Sequence, residues 1–195
     1  VDTLVPRPET ELLVELALKQ IPPERQHAIA DLGTGTGAVA IAIARERPQC
    51  TVFATDLSPE ALAVAMQNAA VLGTRNISFH AGDWFSALRG KRFAVVVSNP
   101  PYIADDEWSE TDPGLGFEPR LALSGGPDGL ADIRRIVSAA PAHLESGGWL
   151  LLEHGFRQAI AVQNLLRQAG FESIATHCDL AGQSRVTEGR LPPEP

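Results

Sequence analysis

Cysteine is scarce in this chain: 195 residues carry only Cys50 and Cys178, far apart. Two such residues cannot build a disulfide framework, and neither sits in a metal-ligand spacing, so both read as reduced thiols of a cytoplasmic protein. The five histidines, His27, His80, His143, His154 and His177, form no motif, and no metal is expected. Long apolar runs are missing too, and no signal peptide is visible, which points away from a membrane. Positive charge is in deficit, with 16 Lys and Arg against 24 Asp and Glu and a formal net charge of -8. A broad phosphate-binding footprint needs clustered Lys and Arg, so no direct nucleic-acid partner is expected, although a local basic patch stays compatible with this balance. Internal repeats and low-complexity tracts are absent. The first residue is Val1 rather than Met, and a dense motif, Pro6-Arg7-Pro8-Glu9-Thr10-Glu11, follows almost at once. We therefore expect a single domain over residues 1–195, cut from a longer protein whose upstream portion is not covered.

What is present alternates between strand and helix signals. Glu9 to Gln20 has Leu12, Leu13, Leu16 and Ala17 at helical spacing and ends at Pro22-Pro23. Strands are expected over Ala28–Leu32, Thr51–Thr55, Ile77–Ala81, Phe93–Ser98, Trp149–Glu153, Phe171–His177 and Ser184–Arg190. Helices are expected over Ala38–Arg47, from Ser58-Pro59 to Leu72, over Leu130–Leu144 with a kink or break at Pro141, and over Phe156–Ala169. Between Ile103 and Asp128 lies a long irregular stretch of the kind kept for binding loops. The alternation predicts an α/β domain with a mostly parallel sheet. The last two strands are too close for a crossover, so the seventh should run antiparallel to its neighbours.

The chemistry gathers where strands end. Asp31-Leu32-Gly33-Thr34-Gly35-Thr36-Gly37 joins the first strand to a helix, and glycines suit a tight turn and a close approach of ligand to backbone. Asp56 ends the second strand, where a carboxylate can accept both hydroxyls of a ribose. Gly33, Gly35 and Ala38 also satisfy the dinucleotide fingerprint, which makes a hydride-transferring NAD enzyme a competitor. Asp83-Trp84 follows the third strand and offers an acceptor and an aromatic plane to an adenine. Asn99-Pro100-Pro101-Tyr102 follows the fourth. Asn99 brings a carbonyl acceptor, the prolines bring stiffness without N–H groups, and Tyr102 brings a flat face. A planar –NH2 group needs two coplanar acceptors and a stacking surface, and a hydride acceptor needs neither. Taken alone, Asn-Pro and Pro-Pro are ordinary loop punctuation, and Asp31 and Asp83 are equally at home as turn or cap residues.

Together these motifs resemble class I S-adenosylmethionine-dependent methyltransferases. Pro6 to Glu11, Glu118-Pro119-Arg120-Leu121-Ala122-Leu123, Gly126-Pro127-Asp128-Gly129-Leu130 and Leu151-Leu152-Glu153-His154-Gly155 resemble one bacterial branch, which methylates the glutamine of peptide chain release factors. The resemblance runs from Arg7 to Arg190. It implies a Rossmann-like, seven-stranded, mostly parallel sheet with an antiparallel last strand and helices on both faces. It implies cofactor contacts from Asp31, Gly33, Thr34, Gly35, Thr36, Gly37, Asp56, Leu57, Asp83, Trp84 and Asn99. It makes Asn99, Pro100, Pro101 and Tyr102 the substrate clamp, with Asn99, Pro100 and Tyr102 catalytic. The expected partner is a class 1 release factor, methylated on its Gly-Gly-Gln loop. Glu118 and Arg120 could brace the active-site loop or form a plain surface pair. The family's N-terminal helical docking domain is expected to belong to the upstream portion that this chain does not cover. A DNA or RNA amino-methyltransferase shares the Asn-Pro-Pro-Tyr logic but fits the acidic charge poorly, and a non-catalytic binding module is the remaining rival.

Overall fold

The computed structural model describes residues 9–105, 107 and 123–193. Seven strands form one sheet in the order β3-β2-β1-β4-β5-β7-β6. They are β1 (Ala28–Leu32), β2 (Thr51–Asp56), β3 (Ile77–Ala81), β4 (Phe93–Ser98), β5 (Leu144–Glu153), β6 (Glu172–Cys178) and β7 (Ser184–Arg190). All neighbours pair in parallel except β7, which is antiparallel to both β5 and β6, as its short connection demanded. The helices are α1 (Glu9–Gln20), α2 (Ala38–Glu46), α3 (Pro59–Val71), α4 (Ala131–His143) and α5 (Ala159–Gln168).

Side chains alternate across the strands, and the sheet is buried on both faces. Ile29, Val95, Val97 and Leu151 pack under α1 and α2, with Leu13, Leu16, Val39 and Ile43 above them. Ala30, Val96, Leu150 and Leu152 face the other way, onto Ile133, Ile136, Val162 and Leu166 of α4 and α5. The third helix starts as its sequence signals require: Ala61 N–H donates to the Ser58 hydroxyl at 3.1 Å, and Pro59 opens the helix.

Most boundaries fall within one residue of expectation, and three features depart from it further. β5 begins at Leu144 rather than Trp149 because Ser146-Gly147-Gly148, which reads as a turn, is a register irregularity within the strand. Gly147 has φ +76°, and a Cβ on Gly148 would lie 3.1 Å from the carbonyl oxygens of Phe93 and Ala94, so glycine lets the two backbones close. Pro141 neither breaks nor ends α4, which continues to His143. α5 starts at Ala159 rather than Phe156, because Gly155 to Gln158 form a turn closed by Gln158 N–H on the Gly155 carbonyl at 2.9 Å. Trp84–Leu88, unassigned in the sequence, is a short 3-10 helix. No helix of the described residues is long and apolar enough to cross a membrane.

Candidate active site

Strand order decides where a ligand can sit. β1 and β4 are neighbours, yet their connections leave toward opposite faces, so a crevice opens at their carboxyl ends. The Ser98 hydroxyl donates to the Leu32 carbonyl at 2.7 Å and pins those two ends together. The glycine loop leaves from one and Asn99 from the other.

Gly33, Gly35 and Gly37 all have left-handed φ, at +71°, +54° and +81°. A Cβ on Gly33 would meet the Trp84 ring at 3.0 Å, and one on Gly37 would meet Ala65 of α3 at 3.0 Å. At Gly35 it would meet nothing within 4 Å, so the middle of the loop presents bare backbone to open space. The loop is braced from below. Thr34 Oγ1 donates to Asp31 Oδ2 at 2.7 Å and Ala40 N–H to the same oxygen at 3.2 Å. Asn68 Nδ2 on α3 donates to the Thr36 carbonyl at 2.9 Å. Asp31 is only 2% exposed, so the structure gives it turn support as its visible work.

Burial raises the Asp31 carboxyl from 3.8 to about 6, against the lowering effect of its bonds from Thr34 and Ala40. A raised acid favours the folded state when protonated. That extra stability is present in full below pH 4 and is lost as pH climbs through 6, a swing of about 3 kcal/mol for a shift from 3.8 to about 6. Asp31→Asn, which carries no charge, should flatten this part of the stability curve. Melting temperatures measured from pH 4 to pH 7 would show it, and parallel wild-type and variant curves would contradict it.

Asp56 faces the open part of the loop. Its Oδ2 accepts Gly35 N–H at 2.8 Å and its Oδ1 accepts Ser58 N–H at 2.9 Å. Each carboxylate oxygen keeps lone-pair capacity, which vicinal hydroxyls can use. Leu57 beside it is 60% exposed, an apolar side chain at the mouth of the crevice. Trp84 adopts φ 48°, unusual for a bulky residue, and this brings its ring against Gly33. Asp83 behaves otherwise than as a free acceptor: its carboxylate pairs with Arg135 of α4, and its N–H donates to Ser86 Oγ at 2.9 Å. Both members of that ion pair are about half exposed, so it contributes little to stability.

On the β4 side, Asn99 Nδ2 donates to Thr10 Oγ1 at 3.3 Å. The following turn is clamped by groups that the sequence reading left unassigned. Gln158 Nε2 donates to the carbonyls of Tyr102 at 2.9 Å and Gly129 at 3.2 Å, while its Oε1 accepts Gly155 N–H at 2.9 Å. Gly129 sits so close that a Cβ there would lie 2.3 Å from the Tyr102 carbonyl oxygen. Thus Gly129 and Gly155 converge on Tyr102. Pro6 to Pro8 and Glu118 to Ala122, with the expected bracing pair Glu118 and Arg120, lie outside the described residues.

A family model described as "Methyltransferase small domain" matches residues 9–111. A curated release factor glutamine methyltransferase from Xylella fastidiosa (strain Temecula1) is 51% identical over 190 residues, 97% of this chain and 69% of the relative. The chain belongs to the release factor glutamine methyltransferase family. A relative of the same name from Escherichia coli (strain K12) is 47% identical, covering 96% of this chain and 68% of that protein. Among solved structures, a release factor-specific protein-(glutamine-N5) methyltransferase from Alicyclobacillus acidocaldarius is 30% identical, with TM-score 0.61, covering 97% of this chain and 95% of that one. A ribosomal protein L11 methylase from Lactobacillus delbrueckii superposes with TM-score 0.69 at 20% identity, a likeness of fold alone. The Rossmann-like methyltransferase architecture expected of the family is thus the one observed.

Proposed function

We propose that this chain is an S-adenosylmethionine-dependent methyltransferase domain acting on the side-chain amide nitrogen of glutamine in the Gly-Gly-Gln loop of class 1 release factors. One observation carries the reading. Bare glycine backbone with a facing carboxylate stands at the end of β1 and β2, and a stiff amide-acceptor turn stands beside it at the end of β4. A nucleoside cofactor and a planar amine are what these two halves suit, and they meet at one crevice. The similarity to named release factor glutamine methyltransferases supports the choice of glutamine over adenine or cytosine.

The cofactor, when bound, supplies an electrophilic methyl group on sulfur. Open backbone at Gly35 and lone pairs on Asp56 fit its ribose and its close approach. Trp84, Leu57 and Asp83 border the adenine end in this reading. An amide nitrogen is a poor nucleophile because its lone pair is delocalised into the carbonyl. Asn99 Oδ1 and the Pro100 carbonyl accept its two N–H bonds and turn the lone pair toward the methyl group. Pro100 and Pro101 hold those acceptors without offering competing donors, and Tyr102 packs on the amide plane. Positioning and fixed dipoles carry most of the rate. The nitrogen then gives up one proton to solvent. The release factor docks partly through the family's upstream helical domain, and the reaction belongs in the cytoplasm, where release factors work.

Isothermal titration tests the cofactor half. S-adenosylhomocysteine should bind and NAD should not. Asp56→Ala removes two bonds to the ribose and frees the Gly35 and Ser58 N–H groups, costing about 2–3 kcal/mol of affinity. Unchanged affinity in that variant would place the ribose elsewhere.

A further inference from the structure

A hydroxyl has one proton to give, and in the chain of contacts behind Asn99 that proton is already committed. Glu153 ends β5 next to β4, where Leu152 pairs with Ser98, so it lies beside Asn99. The residue is 1% exposed. Thr10, in the first turn of α1, is buried between them. Thr10 Oγ1 donates to Glu153 Oε2 at 3.0 Å. Only lone pairs of Thr10 then remain for Asn99, and Asn99 accordingly presents Nδ2, at 3.3 Å. We propose that Thr10 and Glu153 are positioning residues that fix the polarity of the Asn99 amide, keeping Nδ2 inward and Oδ1 outward to accept from the substrate amine. The inference rests on the reading of Asn99 as an amide clamp given above.

Without the carboxylate, the arrangement has a second solution. Thr10 can donate to Asn99 Oδ1, the amide turns over, and a donor –NH2 faces the donor –NH2 of the substrate. That pair cannot bond, and the acceptor geometry is lost. Protonation of Glu153 opens the same route, since a neutral carboxyl can donate to Thr10 and release the Thr10 proton toward Asn99. Burial raises Glu153 from 4.5 to about 7, opposed by the Thr10 bond, by Arg185 of β7 and by the Asn99 side chain, and reinforced by Glu9 of α1. Arg185 is itself paired with Asp179 at 3.1 Å. His154, just past the end of the strand, has its pKa lowered by burial, and its ring bonds Gly155 and Thr187 rather than Glu153. The Glu153 Oε1 atom is buried with no hydrogen-bond partner among the described residues.

The test is single-turnover methylation of a class 1 release factor by the intact protein across pH 5.5–9, for wild type, Thr10→Val, Thr10→Ser and Glu153→Gln. Melting temperature and S-adenosylhomocysteine affinity are measured alongside. Wild-type rate should rise with pH through about 7 as Glu153 ionises. Glu153→Gln should lose that acid limb, and it and Thr10→Val should be slower by roughly tenfold to a hundredfold at pH 8. Cofactor affinity should not change. Thr10→Ser, which keeps the hydroxyl, should recover most of the rate. Wild-type rates in Thr10→Val, an acid limb that survives in Glu153→Gln, or equal losses in the Val and Ser variants would each overturn the inference. A wild type that binds cofactor but methylates no release factor at any pH would instead overturn the functional reading beneath it.

Discussion

Asn99→Ala should lower the rate of methyl transfer by roughly 10²–10³-fold, the loss typical of removing one preorganised polar group from a reacting centre. Asn99 is the side chain that both touches the acceptor amide in our reading and has its own orientation fixed, through the bond from Nδ2 to Thr10. Alanine leaves one substrate N–H without an acceptor and lets the amide rotate, so the lone pair no longer points at the methyl group. Cofactor binding is shared among the glycine loop, Asp56 and Trp84, so it should weaken only slightly. Single-turnover kinetics with calorimetry on the same preparation separates the two. A variant with near wild-type turnover would contradict the amide-clamp mechanism.

Gly129→Ala should be the most damaging glycine-to-alanine change among the described glycines. Gly129 has φ +69°, which costs a side chain about 1–2 kcal/mol. Its new Cβ would also lie 2.3 Å from the Tyr102 carbonyl oxygen and 2.4 Å from Gln158 Nε2. Gln158 can swing aside only by giving up its bonds to Tyr102 and Gly129, and the Tyr102 backbone cannot move without carrying Pro100 and Pro101 with it. Together these should destabilise the protein by roughly 2–5 kcal/mol, a fall in melting temperature of about 5–15 °C for a chain of this size. The activity that survives at low temperature should be depressed far more than cofactor affinity. A stable and fully active Gly129→Ala would show that this loop does not hold the clamp.

Much of the fold could be read from the chain because most strands are short apolar runs and most crossovers between parallel strands have helical spacing. Gly33 to Gly37, Asp56 and Asn99 were legible for a different reason: they stand at strand ends, and their residue types answer demands that backbone geometry makes there. Gln158 was not legible. It sits at helical spacing before Ala159, and nothing local marks a side chain that crosses to Tyr102. Thr10 and Glu153 were visible only as members of motifs, since their contact spans 143 positions and depends on α1 lying over β5. Asp31 and Asp83 were offered to the ligand, yet the structure engages them with the loop and with Arg135, because a buried or neighbouring donor captures a carboxylate wherever packing supplies one. The irregularity in β5 was hidden because Gly147-Gly148 carries the same signature in a turn and in a close approach of strands.

The central claim is the identity of the methyl acceptor, and mass spectrometry of class 1 release factor incubated with isotope-labelled S-adenosylmethionine tests it most directly. Single-stranded DNA serves as the competing acceptor, and this chain is compared with a version carrying the family's upstream domain. The account predicts one labelled methyl group on the glutamine of the Gly-Gly-Gln loop, with a raised KM when the upstream domain is missing, because that domain contributes binding common to ground and transition states. Label on DNA adenine or cytosine, with none on the release factor in either version, would contradict it.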